Sequence, residues 1–211
     1  MEISAKDLNW DATYKLLVGI VVPRPIAWIT TVSPAGVVNL APFSCYTFAC
    51  NEPPMLAINI GRRDGALKDT ARNIEESREF VVNVVSTDLI RPMHASSMQS
   101  AAEVSEVTAL GLETCSSMDV RPPRLGCSPI NLECRLDRII ELGRKRDYLV
   151  LGEIVRFHIR DDLYAGGRID VQAFRPLARL AGNYAELGPP ITLPTASLPA
   201  RGVAGEKGKM A

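Results

Sequence analysis

Residues 23–44 read P-R-P-I-A-W-I-T-T-V-S-P-A-G-V-V-N-L-A-P-F-S, and their reading decides the fold. Residues 26–32 are β-branched and aromatic, which suits a strand. Ser33-Pro34-Ala35-Gly36 is a turn, because proline presets φ and glycine tolerates a positive one. Residues 37–46 are then the returning strand. Pro42 lacks an N–H, so that strand is expected to carry a bulge there or to lie at a sheet edge.

The neighbouring segments repeat this logic. N-E-P-P at 51–54 turns the chain into a third strand at 55–60. The basic loop G-R-R-D-G-A-L-K at 61–68 leads into a short helix starting at Asp64 or nearer Asp69, with Leu67, Ala71 and Ile74 on its inward face. E-F-V-V-N-V-V at 79–85 supplies a fourth strand. Further out, residues 15–22 read as a short helix or strand, 88–98 as a helix, and 99–123 as surface loops with a short helix. Residues 130–142 and 148–159 form a long hairpin around G-R-K-R-D. The fold class expected is mainly β, a β-barrel with peripheral helices, with one domain over residues 1–187. The tail 188–211, rich in Pro and Gly, is expected to be disordered.

Composition narrows the function. Across 211 residues, 24 lysines and arginines balance 24 aspartates and glutamates, so nucleic acid and anionic membranes are not expected as main partners. No apolar run approaches the roughly 18 residues that span a bilayer, and no leader opens the chain, so the cytoplasm is the expected location. The five cysteines are odd in number and without C-x-x-C spacing, which argues against a disulfide framework or zinc site. Cys45, Cys50 and Cys134 lie in strand-like runs and are expected to be small buried hydrophobes. Trp28 alternates with Ile26 and Thr30 and is expected in the core. His94 and His158 have no neighbouring ligand pattern, so no metal is expected.

The loops between the early strands are dense in Gly, Ser, Thr, Asn, Lys and Arg, residues that let backbone and cations converge on an anionic cofactor. Lys68 and Thr70 at a helix entrance provide a cation, a hydroxyl and free N–H groups for a phosphate. Spacing alone leaves Lys68 equally readable as a solvated lysine and Thr70 as a helix-start residue. Of Arg62 and Arg63, at least one is solvated, and the sequence does not say which. Asn39 follows a glycine turn on an apolar strand and must find partners for its amide.

In order and spacing, R-P-I-A-W-I-T-T, G-V-V-N-L-A-P-F-S, K-D-T-A-R-N-I and E-F-V-V-N-V-V resemble the flavin reductase-like proteins with an FMN-binding split barrel. The likeness continues more weakly through L-E-C at 132–134, V-L-G-E-I-V at 150–155 and R-L-A-G-N-Y at 179–184. The resemblance implies FMN as cofactor, with FAD less favoured and NAD(P)H as a transient reductant. It implies a flavin-dependent oxidoreductase; the alternative is a non-catalytic FMN carrier or electron-transfer module reduced by a protein partner. No side chain is assigned as catalytic, since the flavin carries the chemistry. The cofactor-binding residues it implies are Asn39, the run Ala41, Pro42, Phe43, Ser44 and Cys45, one of Thr30 and Thr31, Arg62, the K-D-T residues Lys68, Asp69 and Thr70, and Arg179 and Tyr184 as pocket wall. A homodimer is also implied, with the pocket completed across the interface by the 99–123 stretch or the tail.

Overall fold

A computed structural model describes residues 1–193. Its centre is one antiparallel sheet of seven strands: β1 (Ala27–Val32), β2 (Val38–Phe43), β3 (Tyr46–Asn51), β4 (Pro54–Ile60), β5 (Glu79–Val84), β8 (Ile130–Leu142) and β9 (Asp147–Ile159). The order across the sheet is β2-β1-β5-β8-β9-β4-β3. The two outermost strands, β2 and β3, are consecutive in sequence. The sheet therefore curls until its edges meet at the Ser44–Cys45 corner, where the Asn59 N–H donates to the Cys45 carbonyl at 2.8 Å. This is the expected mainly β split barrel.

The run 37–46 is two strands rather than one. It breaks at Ser44–Cys45 because the second half leaves β1 and pairs with β4, with Tyr46 opposite Ile58. Pro42 sits opposite Trp28 on β2, an edge of the sheet, where a missing N–H disrupts no inner ladder. Helix α1 (Trp10–Ile20) starts earlier than the apolar run suggests, because the Asn9 side chain caps it by accepting from the Ala12 N–H at 2.9 Å. Helix α2 spans Asp69–Ser77 with Lys68 as its N-cap residue; Asp64 instead adopts a left-handed turn conformation in the preceding loop.

Two apolar clusters hold these elements. Inside the barrel, alternate residues of the strands, among them Ile29, Phe43, Ile58, Phe80, Val82 and Val150, pack together with Ala71 and Ile74 of α2. The outer face of β1 and β2 carries Trp28 and Leu40, covered by Met93 of α3 (Ile90–Ala95) and Val107 of α4 (Glu106–Ala109). Trp28 is fully buried and donates its indole N–H to Ser96 Oγ at 2.8 Å. The 99–123 stretch is anchored on its own barrel. It contributes α4, the short strand β6 (Thr114–Cys115), which pairs with β7 (Arg124–Leu125), and a loop gripped by Glu133 of β8. The fully buried Glu133 carboxylate accepts from the backbone N–H groups of Met118 and Asp119 and lies 2.5 Å from His158 Nε2.

Towards the C-terminus come the strand pair β10 (Tyr164–Ala165) and β11 (Arg168–Ile169), helix α5 (Val171–Phe174), and the pair β12 (Leu177–Arg179) and β13 (Tyr184–Glu186). Of the tail 188–211, residues 188–193 carry no regular structure, and its expected disorder otherwise lies outside the described residues. Only Cys134 among the cysteines is buried. Cys45 and Cys50 are exposed, contrary to expectation: Cys50 lies on β3, an edge strand with open faces, and Cys45 at the corner that precedes it. No helix among the described residues is long and apolar enough to cross a membrane.

Candidate functional site

A cavity of about 360 Å³ opens where the β2 edge faces the start of α2. The α2 N-terminus is uncapped: Lys68 adopts the extended N-cap conformation, but no side chain bonds the first turn. The first-turn N–H groups, which a helix cannot satisfy internally, thus carry the positive end of the dipole into the cavity rim. Lys68, Asp69 and Thr70 all line it.

Two cations stand there. Lys68 Nζ lies 5.5 Å from the centre of the Phe43 ring, and burial, followed by the charge of Arg63, pushes its pKa down. A cation partly stripped of water beside a second cation is poised to take an anion. Arg63 is held at the cavity by a tight loop in which it exchanges backbone hydrogen bonds with Ala66, at 2.9 and 2.8 Å, through Asp64 and Gly65 at positive φ. Arg62 points elsewhere. Its Nε donates to the Arg146 carbonyl at 2.9 Å, and its guanidinium lies over Tyr148 at 5.3 Å. Of the two arginines, Arg63 lines the cavity and Arg62 does not.

Behind the rim is a buried polar cluster. Asn39 Nδ2 donates to Thr70 Oγ1 at 2.9 Å and to Thr31 Oγ1 at 3.3 Å, and Asn73 Nδ2 also donates to Thr31 Oγ1 at 3.0 Å. Strand pairing sets this up, since Thr31 is the cross-strand partner of Asn39. Both threonine hydroxyls accept; Thr70 lines the cavity, so its O–H proton is free to point at a ligand, whereas Thr31 is fully buried and outside the lining. Thr30 faces the opposite way, donating to the Pro123 carbonyl at 2.6 Å. Of the neighbouring threonines, therefore, Thr31 joins the buried cluster behind the lining without lining the cavity itself, and Thr30 holds the 99–123 stretch. The Asp69 carboxylate is paired with Arg72, which leaves the Asp69 backbone N–H as its contribution to the rim.

Asn39, Ala41, Pro42, Phe43, Lys68, Asp69 and Thr70 are brought together in the lining. Ser44 and Cys45 form the adjacent barrel corner but do not line it. Arg179 and Tyr184 are not in it either: Arg179 stacks on the Tyr184 ring at 4.5 Å, and the Tyr184 hydroxyl meets His94 Nδ1 at 3.0 Å. The far wall consists of Ser96–Ser100 and Glu106, whose Oε2 accepts from the Leu40 N–H at 3.0 Å. Sequence reading missed this wall. The run S-S-M-Q-S at 96–100 has the same small, polar composition as the loops that did draw attention.

Comparison with known proteins bears on the family and the fold. The profile described as "Flavin reductase like domain" matches residues 19–188. An uncharacterised protein of Halalkalibacterium halodurans is 44% identical, the match covering 92% of this chain and 95% of that one. Among solved structures, nitrilotriacetate monooxygenase component B from Bacillus cereus superposes with a TM-score of 0.89 at 34% identity, covering 92% and 98% of the two chains. The 2-nitrobenzoate 2-nitroreductase of Pseudomonas fluorescens superposes with a TM-score of 0.85 at 32% identity, covering 95% and 100%.

Proposed function

Because the chain belongs to the flavin reductase-like family, we propose that its cavity holds FMN and that the protein is an NAD(P)H-dependent oxidoreductase. NAD(P)H would give up a hydride and an acceptor would receive the electrons. The observation that carries this reading is the uncapped α2 N-terminus flanked by Lys68 and Arg63, neither of which is ion-paired among the described residues.

The residues fit the group. The N–H groups of Asp69, Thr70 and Ala71, with the two cations, suit one terminal phosphate. The hydroxyl of Thr70, held by Asn39, suits polar atoms further along the ligand, and Thr31 braces Asn39 from behind. Ala41 and Pro42 are small enough for a flat ring to lie against backbone. A single anion subsite of this kind favours FMN over FAD. FMN supplies the hydride and electron transfer when bound, and the protein supplies placement and electrostatics. The nicotinamide is proposed to visit transiently over the flavin, since the sequence has no separate dinucleotide fingerprint. The cytoplasm suits a chain whose cysteines are all free.

A homodimer is part of the proposal. Edge strand β3 exposes Phe48 (72%), and α1 buries none of its residues while exposing Trp10, Tyr14, Leu17 and Ile20. A second copy would cover these surfaces. The functional test is reconstitution with FMN followed by NADH or NADPH and an electron acceptor such as ferricyanide. Consumption of the nicotinamide supports the enzyme. Retention of FMN without consumption would replace the enzyme by a carrier, and retention of no flavin would reject the site.

A further inference from the structure

A second cavity, of about 250 Å³, lies at the barrel end where β1 begins and β5 finishes. It shares no lining residue with the first. Its walls are apolar, formed by Ile26, Val85, Phe174, Pro176 and Leu177 among others, and no acidic side chain among the described residues lines it.

One cation does. Arg24 is 7% exposed and lines this cavity. Its three hydrogen bonds go to backbone carbonyls: Nη1 donates to Val18 at 2.7 Å and Val21 at 2.6 Å, and Nη2 to Leu180 at 3.1 Å. The first two lie at the C-terminal end of α1, whose dipole offsets about half a charge. No carboxylate pairs with Arg24 among the described residues. Its Nε–H is buried without a partner. Buried charges are ordinarily paired, and a buried N–H ordinarily bonded. Clamping α1 therefore explains Nη1 alone, Nη2 holds the Leu180 carbonyl, and Nε is left without a partner among the described residues. Tyr46 adds a second polar group to the lining. Burial, followed by the proximity of Cys134, pushes its phenol up to about 12, so it stays a neutral hydrogen-bond donor.

We infer that this cavity binds a small apolar monocarboxylate, its carboxylate against Arg24 and Tyr46 and its ring or short chain against the apolar wall. An apolar pocket lined by a few polar groups, here Arg24 and Tyr46, is the ordinary form of a small-molecule site. The volume falls below the roughly 300–1,000 Å³ of drug-sized sites, which limits the ligand to one ring or a short chain. The inference does not depend on flavin binding, because the two cavities are separate.

The test is calorimetric titration of the full-length protein with benzoate and hexanoate, against benzamide and hexanol. The acids are expected to bind one to one, and roughly tenfold or more tighter than their neutral counterparts. Arg24→Gln should remove that preference. Since Arg24 also clamps α1, Ala178→Leu serves as the second variant: it fills the cavity, leaves the guanidinium in place, and should abolish acid binding with circular dichroism unchanged. Absence of saturable binding, equal affinity for acids and neutral analogues, or full affinity in a folded Ala178→Leu protein would overturn the inference. So would a crystal structure with a partner subunit's side chain filling the cavity.

Discussion

Replacing Lys68 by Met keeps an aliphatic stem against Phe43 and removes only the charge. A hydrogen bond between a cation and a phosphate contributes about 1.5–3 kcal/mol, which corresponds to roughly 10- to 150-fold in affinity. Arg63 and the α2 N–H groups remain, so the expected loss is near the middle of that range, roughly thirtyfold. Stability should move the other way or not at all. In the free protein, burial and Arg63 hold the Lys68 pKa below its usual value of 10.5. Between the lowered pKa and 10.5 the unfolded chain binds the extra proton, so wild-type stability rises with pH in that window. The charge is thus a cost without ligand, and Lys68→Met should melt no lower than wild type near neutral pH. Binding has the opposite pH sense. As pH rises through the lowered pKa, wild type loses the cation and its affinity converges on that of the variant. Flavin fluorescence titration across pH, with thermal denaturation of the apo-protein, reads both effects. An unchanged FMN affinity at neutral pH, or a variant that binds weakly only because it is unfolded, would refute the reasoning.

Gly152→Ala should destabilise the barrel by about 1–3 kcal/mol, because a Cβ there would stand 2.4 Å from Cζ of the fully buried Phe80; urea denaturation measures it, and Phe80→Leu should restore much of the loss. The Glu133 carboxyl is pushed up by burial but held below its usual range by the Met118 and Asp119 N–H groups and His158. Its grip on the loop is therefore full above the ordinary carboxylate pKa and lost as pH falls through the lowered one. Hydrogen exchange at residues 116–121 should accelerate in acid, and Glu133→Ala should show that acceleration already at neutral pH. Light scattering should return a dimer mass, and Phe48→Glu with Ile20→Glu should shift it towards monomer if these exposed surfaces form the interface.

Much of the barrel was legible in the sequence because two signals coincide there. β1, β4 and β5 are short β-branched runs bounded by Pro, Gly and Asn turns, and the 130–159 hairpin is long enough to identify by itself. The Ser44–Cys45 break was not legible. Nothing local marks it, since the second half of 37–46 crosses to the opposite sheet edge to meet β4, a contact made only once the sheet has curled. The same curling leaves β3 open, so Cys50 on it and Cys45 at the corner before it, apolar by composition, end exposed. That Lys68 and Thr70 stand at a helix entrance was readable because that feature is local. That Arg63 rather than Arg62 lines the cavity was not, because Arg62 is drawn away by Arg146 and Tyr148, more than eighty residues away. Arg179 and Tyr184 satisfy each other and His94 through pairings that a linear motif cannot display.

The central claim is that the flavin phosphate sits on the α2 N-terminus, and a crystal structure of the FMN-loaded protein tests it most directly. The account predicts phosphate oxygens within hydrogen-bond distance of the backbone N–H groups of Asp69 and Thr70, with Lys68 Nζ or the Arg63 guanidinium in contact. Phosphate density elsewhere on the barrel, with the first turn of α2 open to water, would contradict it.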